Sequence, residues 1–381
     1  MAFPVGSTPQ KLTIDNTKVS GGSNLTDYPV LVKDGNLLDI TYSSMQGDGD
    51  DIRFTTDLAG ENEVPFEIVA LDASGKTCQI WVKLTLDHDD DTVFYIWFGD
   101  SALSAYASDD PYGSENAWNS NYKAVYHLEE VGDEVGEDYK DSTANANHGQ
   151  GGGGSAPAVP TRVVGKIGYG QDFDGSADDI TVEDDDSLDI TDALTLQAWI
   201  KADSNSVSAR HIWRKISGTA GGVIYFFRIH PTNGYIEFGL GNGGAVPDLN
   251  AFAQTTIPTD GTKKLIHCTW NKDTQTTAII YYDGVAKALD GGAGNTSSSA
   301  IGVSSEESRI ARGDPAGYFD GGIDELRILN INLSADWVAT ENNNMGTPST
   351  FITGSGVYEE TENKLKYYRR MRFPGPVAGL S

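Results

Sequence analysis

The chain has 381 residues and a formal net charge of −28, which is length enough for two or three domains and too much negative charge for its body to bind nucleic acid. Its 44 glycines, 10% aromatics and frequent Asp, Asn, Ser and Thr describe many strands joined by tight turns and exclude a helical bundle. Two cysteines far apart, Cys78 and Cys268, exclude a disulfide framework and a cysteine-based metal site.

The acidity has three ordinary readings: solubility, life in salty water, or carboxylate clusters that hold calcium. Residues 1–9 have neither the basic start nor the apolar stretch of a secretory signal. No apolar run is long enough to span a membrane. The expectation is therefore no signal peptide and no membrane insertion. A protein built like an extracellular one but lacking an export signal suggests a virion component released by lysis; the rival is a mature protein already trimmed.

The first unit, residues 1–117, reads as a small β-sandwich. Strands are expected at 11–14, 28–32, 51–54, 64–68, 78–84 and 92–99, with turn residues between. Residues 92–99 are apolar on both faces, as in a central strand. From 102 to 120 the chain is irregular and reads as the inter-domain connection. The second unit, residues 118–333, begins with a strand at 124–128. The stretch Gly151-Gly152-Gly153-Gly154-Ser155 has linker composition, but the strand before it finds partners only after Gly165, so it is read as a loop.

Strands follow at 179–182, 194–200, 223–229, 235–240 and 265–270. Leu194, Leu196, Ala198 and Ile200 alternate onto one face. Residues 277–282 end at Asp283-Gly284, a hairpin signal, and 323–328 closes the unit. Ser334 suits the N-cap of a short helix at 335–341. Residues 342–381 carry little pattern, so 334–381 is read as a helix and an extended tail.

The segments Phe173-Asp174-Gly175, Ser187-Leu188-Asp189-Ile190, Leu194 to Ile200, Tyr282-Asp283-Gly284 and Phe319 to Ile328 occur in an order and spacing that resembles a laminin-G-like jelly roll of the concanavalin-A-like lectin/glucanase superfamily. Residues 141–149 resemble that family's early Asp-Ser-Thr/Ser-Gly-Asn segment, with Ala144 where Gly is usual. The first unit, through residues 25–32, 49–55 and 94–99, resembles a domain of unknown function that often precedes such jelly rolls in bacterial and phage surface proteins. The fold expected is all-β, two antiparallel β-sandwiches, the second a jelly roll, then a short helix and extended tail.

Catalysis is not expected. Retaining hydrolysis of a glycoside needs two carboxyl groups about 5 Å apart, on one strand as Glu-x-Asp-x-x-Glu, and no such motif occurs. Residues 183–186 are acidic but lack the later Glu. Zinc-helix, nucleophile-elbow and phosphate-loop motifs are also missing. His127 and His267 lie in apolar strands and are read as packed.

The resemblance implies one structural calcium ion, with Asp174 and Asp324 at the expected positions and Asp141 helping to complete the shell. The alternative is that Asp174 and Asp320 simply form Asp-Gly turns. For a glycan, aromatics that stack and amides that read hydroxyls make Trp213, Tyr225, Phe227 and Asn242 the candidates. Their alternative is that strand aromatics build cores. In the tail, Lys366, Tyr367, Tyr368, Arg369, Arg370 and Arg372 mix cations with aromatics in an acidic chain, and are read as an arm docking on a neighbouring subunit.

The function expected is a non-enzymatic binding protein on a virion or cell surface, with a surface glycan as ligand and a homo-oligomer or virion proteins as partners. A purely structural capsid, fibre or tail subunit is the alternative, and a glycoside hydrolase the third.

Overall fold

The computed structural model describes residues 8–204, 210–218, 222–290, 294–313 and 317–357. The first unit contains β1 (Thr8–Ile14), β2 (Leu25–Lys33), α1 (Asp39–Ser44), β3 (Arg53–Thr55), β4 (Glu63–Val64), β5 (Phe66–Asp72), β6 (Thr77–Leu86) and β7 (Thr92–Phe98). The second contains β8 (Tyr122–Tyr126), β9 (Gly149–Gly151), β10 (Thr161–Val164), β11 (Tyr169–Asp174), β12 (Ile180–Val182), β13 (Ala193–Ala202), β14 (Arg210–Ile216) and β15 (Val223–Ile229). It continues with β16 (Tyr235–Leu240), β17 (Leu249–Thr256), β18 (Lys264–Asn271), β19 (Gln275–Tyr282), β20 (Val285–Ala286), β21 (Ser308–Ile310) and β22 (Asp320–Leu329). The chain then forms α2 (Ala335–Gly346), α3 (Pro348–Phe351) and β23 (Ile352–Val357).

Among the described residues the fold is all-β apart from these three short α-helices and a few 3-10 turns. In the first sandwich a sheet of order β23-β1-β7-β3-β4 packs on a sheet of order β2-β6-β5. Alternation along each strand supplies the core: Leu12, Ile14, Phe54, Phe94 and Ile96 meet Val30, Val32, Ile80 and Val82.

The second sandwich is a jelly roll. One sheet runs β10-β11-β22-β13-β18-β19-β20, with β8 also paired to β22; the other runs β17-β16-β15-β14-β21-β12-β9. Leu194, Leu196, Ala198 and Ile200 point inward as their spacing requires. Asp283 and Gly284 take φ of 50° and 79°, and the flanking Tyr282 and Val285 pair, so they form the two-residue turn that suits right-twisted strands. The glycine-rich stretch is a turn after β9, inside the jelly roll.

Both faces of β13 are buried, against the simple alternation. Its outer residues Thr195, Gln197 and Trp199 lie under the first sandwich and α2. A third apolar cluster fills this joint, with Leu31 and Trp81 from the first unit, Trp118 from the connection, Tyr122, Trp199, Leu265 and Leu329 from the jelly roll, and Val338 and Met345 from α2.

Buried charge crosses the same joint. A register shift between β13 and β22 and a left-handed Glu325, φ 51°, form a bulge. Ile323, Leu326 and Ile328 face the jelly-roll core, while Asp324, Glu325 and Arg327 all face outward. Arg327 lies between the Trp81 and Trp118 rings, 4.3 and 4.8 Å from their centroids. It donates to Glu325 Oε2 (2.8 Å) and to Glu341 Oε1 on α2 (2.7 Å). His127 bridges Glu325 (2.8 Å) and Glu67 of the first unit (3.3 Å). Trp118 Nε1 donates to Glu67 Oε2 at 2.7 Å, and Gln79 Nε2 to Glu325 Oε1 at 2.9 Å. His267 meets Glu341 at 3.0 Å.

Part of the segment read as a helix and extended tail is built into the fold. Ser334 does cap α2, accepting from the Trp337 amide at 3.2 Å, but the helix runs on to Gly346. Its Asn344 accepts from the Leu31 amide and donates to the Pro29 carbonyl, covering the edge of β2. β23 then pairs with β1. Residues 335–357 therefore complete the joint and the first sandwich instead of forming a separate part.

Candidate functional site

The eight-stranded sheet spends much of its outer face on the joint, through Val125, Trp199, Leu265, Tyr281 and Leu329. The seven-stranded sheet contributes no described residue to that cluster. Its outer face is the large jelly-roll surface left for a ligand.

The register specifies what this face presents, because residues directly opposite in neighbouring strands share a side. One row runs Gln150, Thr181, Arg309, Arg214, Phe226, Gly239 and Asn250 across seven strands. A second row runs His211, Arg228, Glu237 and Phe252. Gln150, Arg228, Asn250, Phe252, Arg309 and Arg312 are half-buried, with part of each side chain open to solvent.

The charges pair locally. Arg228 grips Glu237 through both oxygens at 2.6 and 2.8 Å. Arg309 Nε donates to Glu307 at 2.6 Å, and Arg312 lies 3.2 Å from Asp179. Arg228 also lies 4.8 Å from the Phe226 ring, and His211 meets that ring edge-on at 5.2 Å. Burial, with Arg228 and Arg214 nearby, holds the His211 imidazole well below its ordinary pKa, so it is neutral. The face offers guanidinium and amide donors, arginine-bound carboxylates as acceptors, and the half-open Phe252 ring. Glu237, Glu307 and Asp179 are each tied to an arginine.

The aromatic residues chosen from sequence do not reach this face. Trp213, Tyr225 and Phe227 are fully buried in the jelly-roll core, and the Tyr225 hydroxyl donates to the Leu188 carbonyl at 2.9 Å. The outward residues are their neighbours, Phe226 and Arg228. Asn242 is exposed, in the loop after β16 and outside both rows. The missed signal was the Arg228–Glu237 pair, opposite charges on consecutive strands, which fixes the outward parity of both.

The three carboxylates expected to share calcium do not fit one ion. Asp174 accepts from the amides of Ser176, Ala177 and Asp178 and from the Ser176 hydroxyl. Burial works against these bonds but they prevail, bringing its pKa down to about 2. It is a turn former, paired with Asp320 across β11 and β22. Asp324 lies four residues further along β22, about 13 Å at strand spacing. There its Oδ2 accepts from the Lys166 and Ile167 amides. Asp141 accepts from the amides of Val125, Thr143 and Asn147. Among the described residues, no group of three metal-binding side chains includes any of these aspartates. The tail residues Lys366, Tyr367, Tyr368, Arg369, Arg370 and Arg372 lie outside the described residues. Cys78 and Cys268 are both buried free thiols, and no helix among the described residues is long and apolar enough to cross a membrane.

Residues 174–339 match the family model of the concanavalin A-like lectin/glucanases superfamily, in agreement with the jelly roll seen here; the match does not extend into the first sandwich. No curated protein matches the chain in sequence. Among solved structures, the chain is similar to domain 4 of AbnA, an extracellular arabinanase from Geobacillus stearothermophilus, solved with arabinotriose. That likeness has 16% identity and TM-score 0.44, over 58% of this chain and 98% of that one. Trypanosoma rangeli sialidase gives 10% identity and TM-score 0.44, over 75% and 43%. The binding domain of botulinum neurotoxin DC, solved with rat synaptotagmin II, gives 10% and 0.40, over 59% and 52%.

Proposed function

We propose that the chain is a non-enzymatic carbohydrate-binding protein that meets its glycan on the outer face of the seven-stranded sheet. The observation that carries this reading is the division of labour between the two sheets. One is committed to the first sandwich; the other presents Arg309, Arg228, Gln150, Asn250 and Phe252 on a lectin-like scaffold. The non-enzymatic part of the reading is supported by the arginine partners of Glu237, Glu307 and Asp179 on that face. In the same reading the protein is displayed on a virion or cell surface. The basic, aromatic stretch 364–373 supports an anchoring role.

A glycan array read with the full chain tests the ligand class. Arg309→Ala and Phe252→Ala should each weaken the strongest signals roughly five- to 150-fold, because a lost charged hydrogen bond or stacking surface is worth about 1–3 kcal/mol. An array without signals, or signals indifferent to both substitutions, would overturn the proposal. Light scattering on chains ending at Ser381 and at Val357 tests the anchor: a shared oligomeric state would remove it.

A further inference from the structure

A cavity lies in the first sandwich, where the proposed glycan face plays no part. It has a volume of about 240 Å³ and is walled by Phe66, Tyr106 and Tyr112, with Arg53 at its base and Asp48 and Asp50 at its rim. From this geometry we infer a binding site for a single pyranose sugar ring.

The connection between the two units builds the wall. Its turns are closed by amides of Asp110, Gly113 and Glu115 bonding to the carbonyls of Ala107, Asp110 and Ser108. The Phe66 amide bonds to the Tyr112 carbonyl, tying this loop to β5. Tyr106 is held on two sides: its hydroxyl donates to Glu63 at 2.7 Å, and the Arg53 guanidinium stacks on its ring at 4.0 Å. Tyr112 leans on Tyr106 with centroids 5.8 Å apart at 46°. The two rings stay half-exposed and fixed, and so present an apolar surface on which a ligand ring can stack.

The polar groups indicate what the covering ligand is. Arg53 is 4% exposed and its Nη atoms donate to the carbonyls of Asp50, Ile52 and Ser104. Its charge is matched by Glu63, 3.8 Å away, and it already fills the cation position over Tyr106, which disfavours a second cation. The Asp50 carboxylate accepts no hydrogen bond from a described residue, and Asp48 accepts only the Asp50 amide, at 3.2 Å. Open carboxylate oxygens beside fixed aromatic rings suit a ligand with an apolar face and hydroxyl donors at its edge. The cavity is smaller than the roughly 300–1,000 Å³ of sites for drug-sized molecules, so it holds one ring and not a chain.

The test is saturation-transfer NMR on the full chain with glucose, galactose and N-acetylglucosamine, each as the free sugar and as the methyl glycoside. At least one should bind, and Tyr112→Ala and Asp50→Asn should each weaken it about tenfold or more. Arg309→Ala, on the distant sheet face, should leave it unchanged. Asp50→Asn changes a carboxylate that accepts no hydrogen bond from a described residue, so the fold should be kept. Equal binding of the methyl glycoside identifies the end of a glycan as the source, and binding of the free sugar alone identifies a monosaccharide; both support the site. No binding by any of the six, or binding unaffected by both cavity substitutions, overturns it. Because Arg309→Ala belongs to the other face, failure of one site leaves the other standing.

Discussion

His127 Nδ1 lies 2.8 Å from Glu325 Oε1, and the contact exists because Glu325 occupies a bulge that turns it to the same side of β22 as Arg327. Burial pulls the imidazole's pKa down, but Glu325 and Glu67 outweigh it and raise the pKa to about 10. A group raised in this way contributes its full stability below its unfolded value of about 6.5 and loses it as pH climbs through about 10. Melting temperature should fall across that window. His127→Gln should melt lower near neutrality and show a flatter profile between pH 7 and 10; a parallel profile would remove His127 from the joint's energetics.

Arg327 is fully buried and joins two carboxylates from different elements. Arg327→Ala leaves both inside the joint without their cation, at a cost of about 3–5 kcal/mol. Arg327→Lys should fall between, since an ammonium keeps the charge but not the planar fork that stacks between two indoles. Urea denaturation of the three proteins checks the order, and Glu341→Gln on the Ala background should recover part of the loss.

Gly284 sits at φ 79°, and a Cβ there would come within 3.1 Å of Asn342 Cβ. Gly284→Val adds the left-handed penalty of about 1–2 kcal/mol to that close approach. The denaturation midpoint should move down with an unchanged slope.

Gly354 faces Asn36, and a Cβ there would meet the Asn36 carbonyl oxygen, which is backbone and cannot step aside. Gly354→Val should lift β23 from β1. Hydrogen exchange should quicken at β1 amides and stay slow at β13 and β18, where the jelly roll is paired independently. Uniform protection in the variant would mean that β23 adds nothing to the first sandwich.

The sequence made the jelly roll legible because alternation is a local property: Leu194 to Ile200 and the Asp283-Gly284 turn announce themselves within ten residues. The outer side of β13 did not, since Thr195 and Gln197 are covered by Ile331 and Met345, more than a hundred residues away, and Trp199 packs in the joint between units. The site misassignment has one cause. In a strand with aromatics at 225, 226 and 227, parity decides which ring sees solvent, and register shifts flanking Trp213 in β14 hide that parity from a sequence reading. The acids of Asp174 and Asp141 read alike as ion ligands or turn formers until their amide donors are placed.

The pairing of β1 with β23 has a consequence for how the chain is made. The first sandwich lacks one edge strand until roughly 250 further residues have emerged after β7. At ribosomal rates of about 5–20 residues per second, that is tens of seconds in which β1 presents an unpaired edge to the cell. The jelly roll, contiguous in the chain, is complete before the first sandwich, although the first sandwich precedes it in sequence.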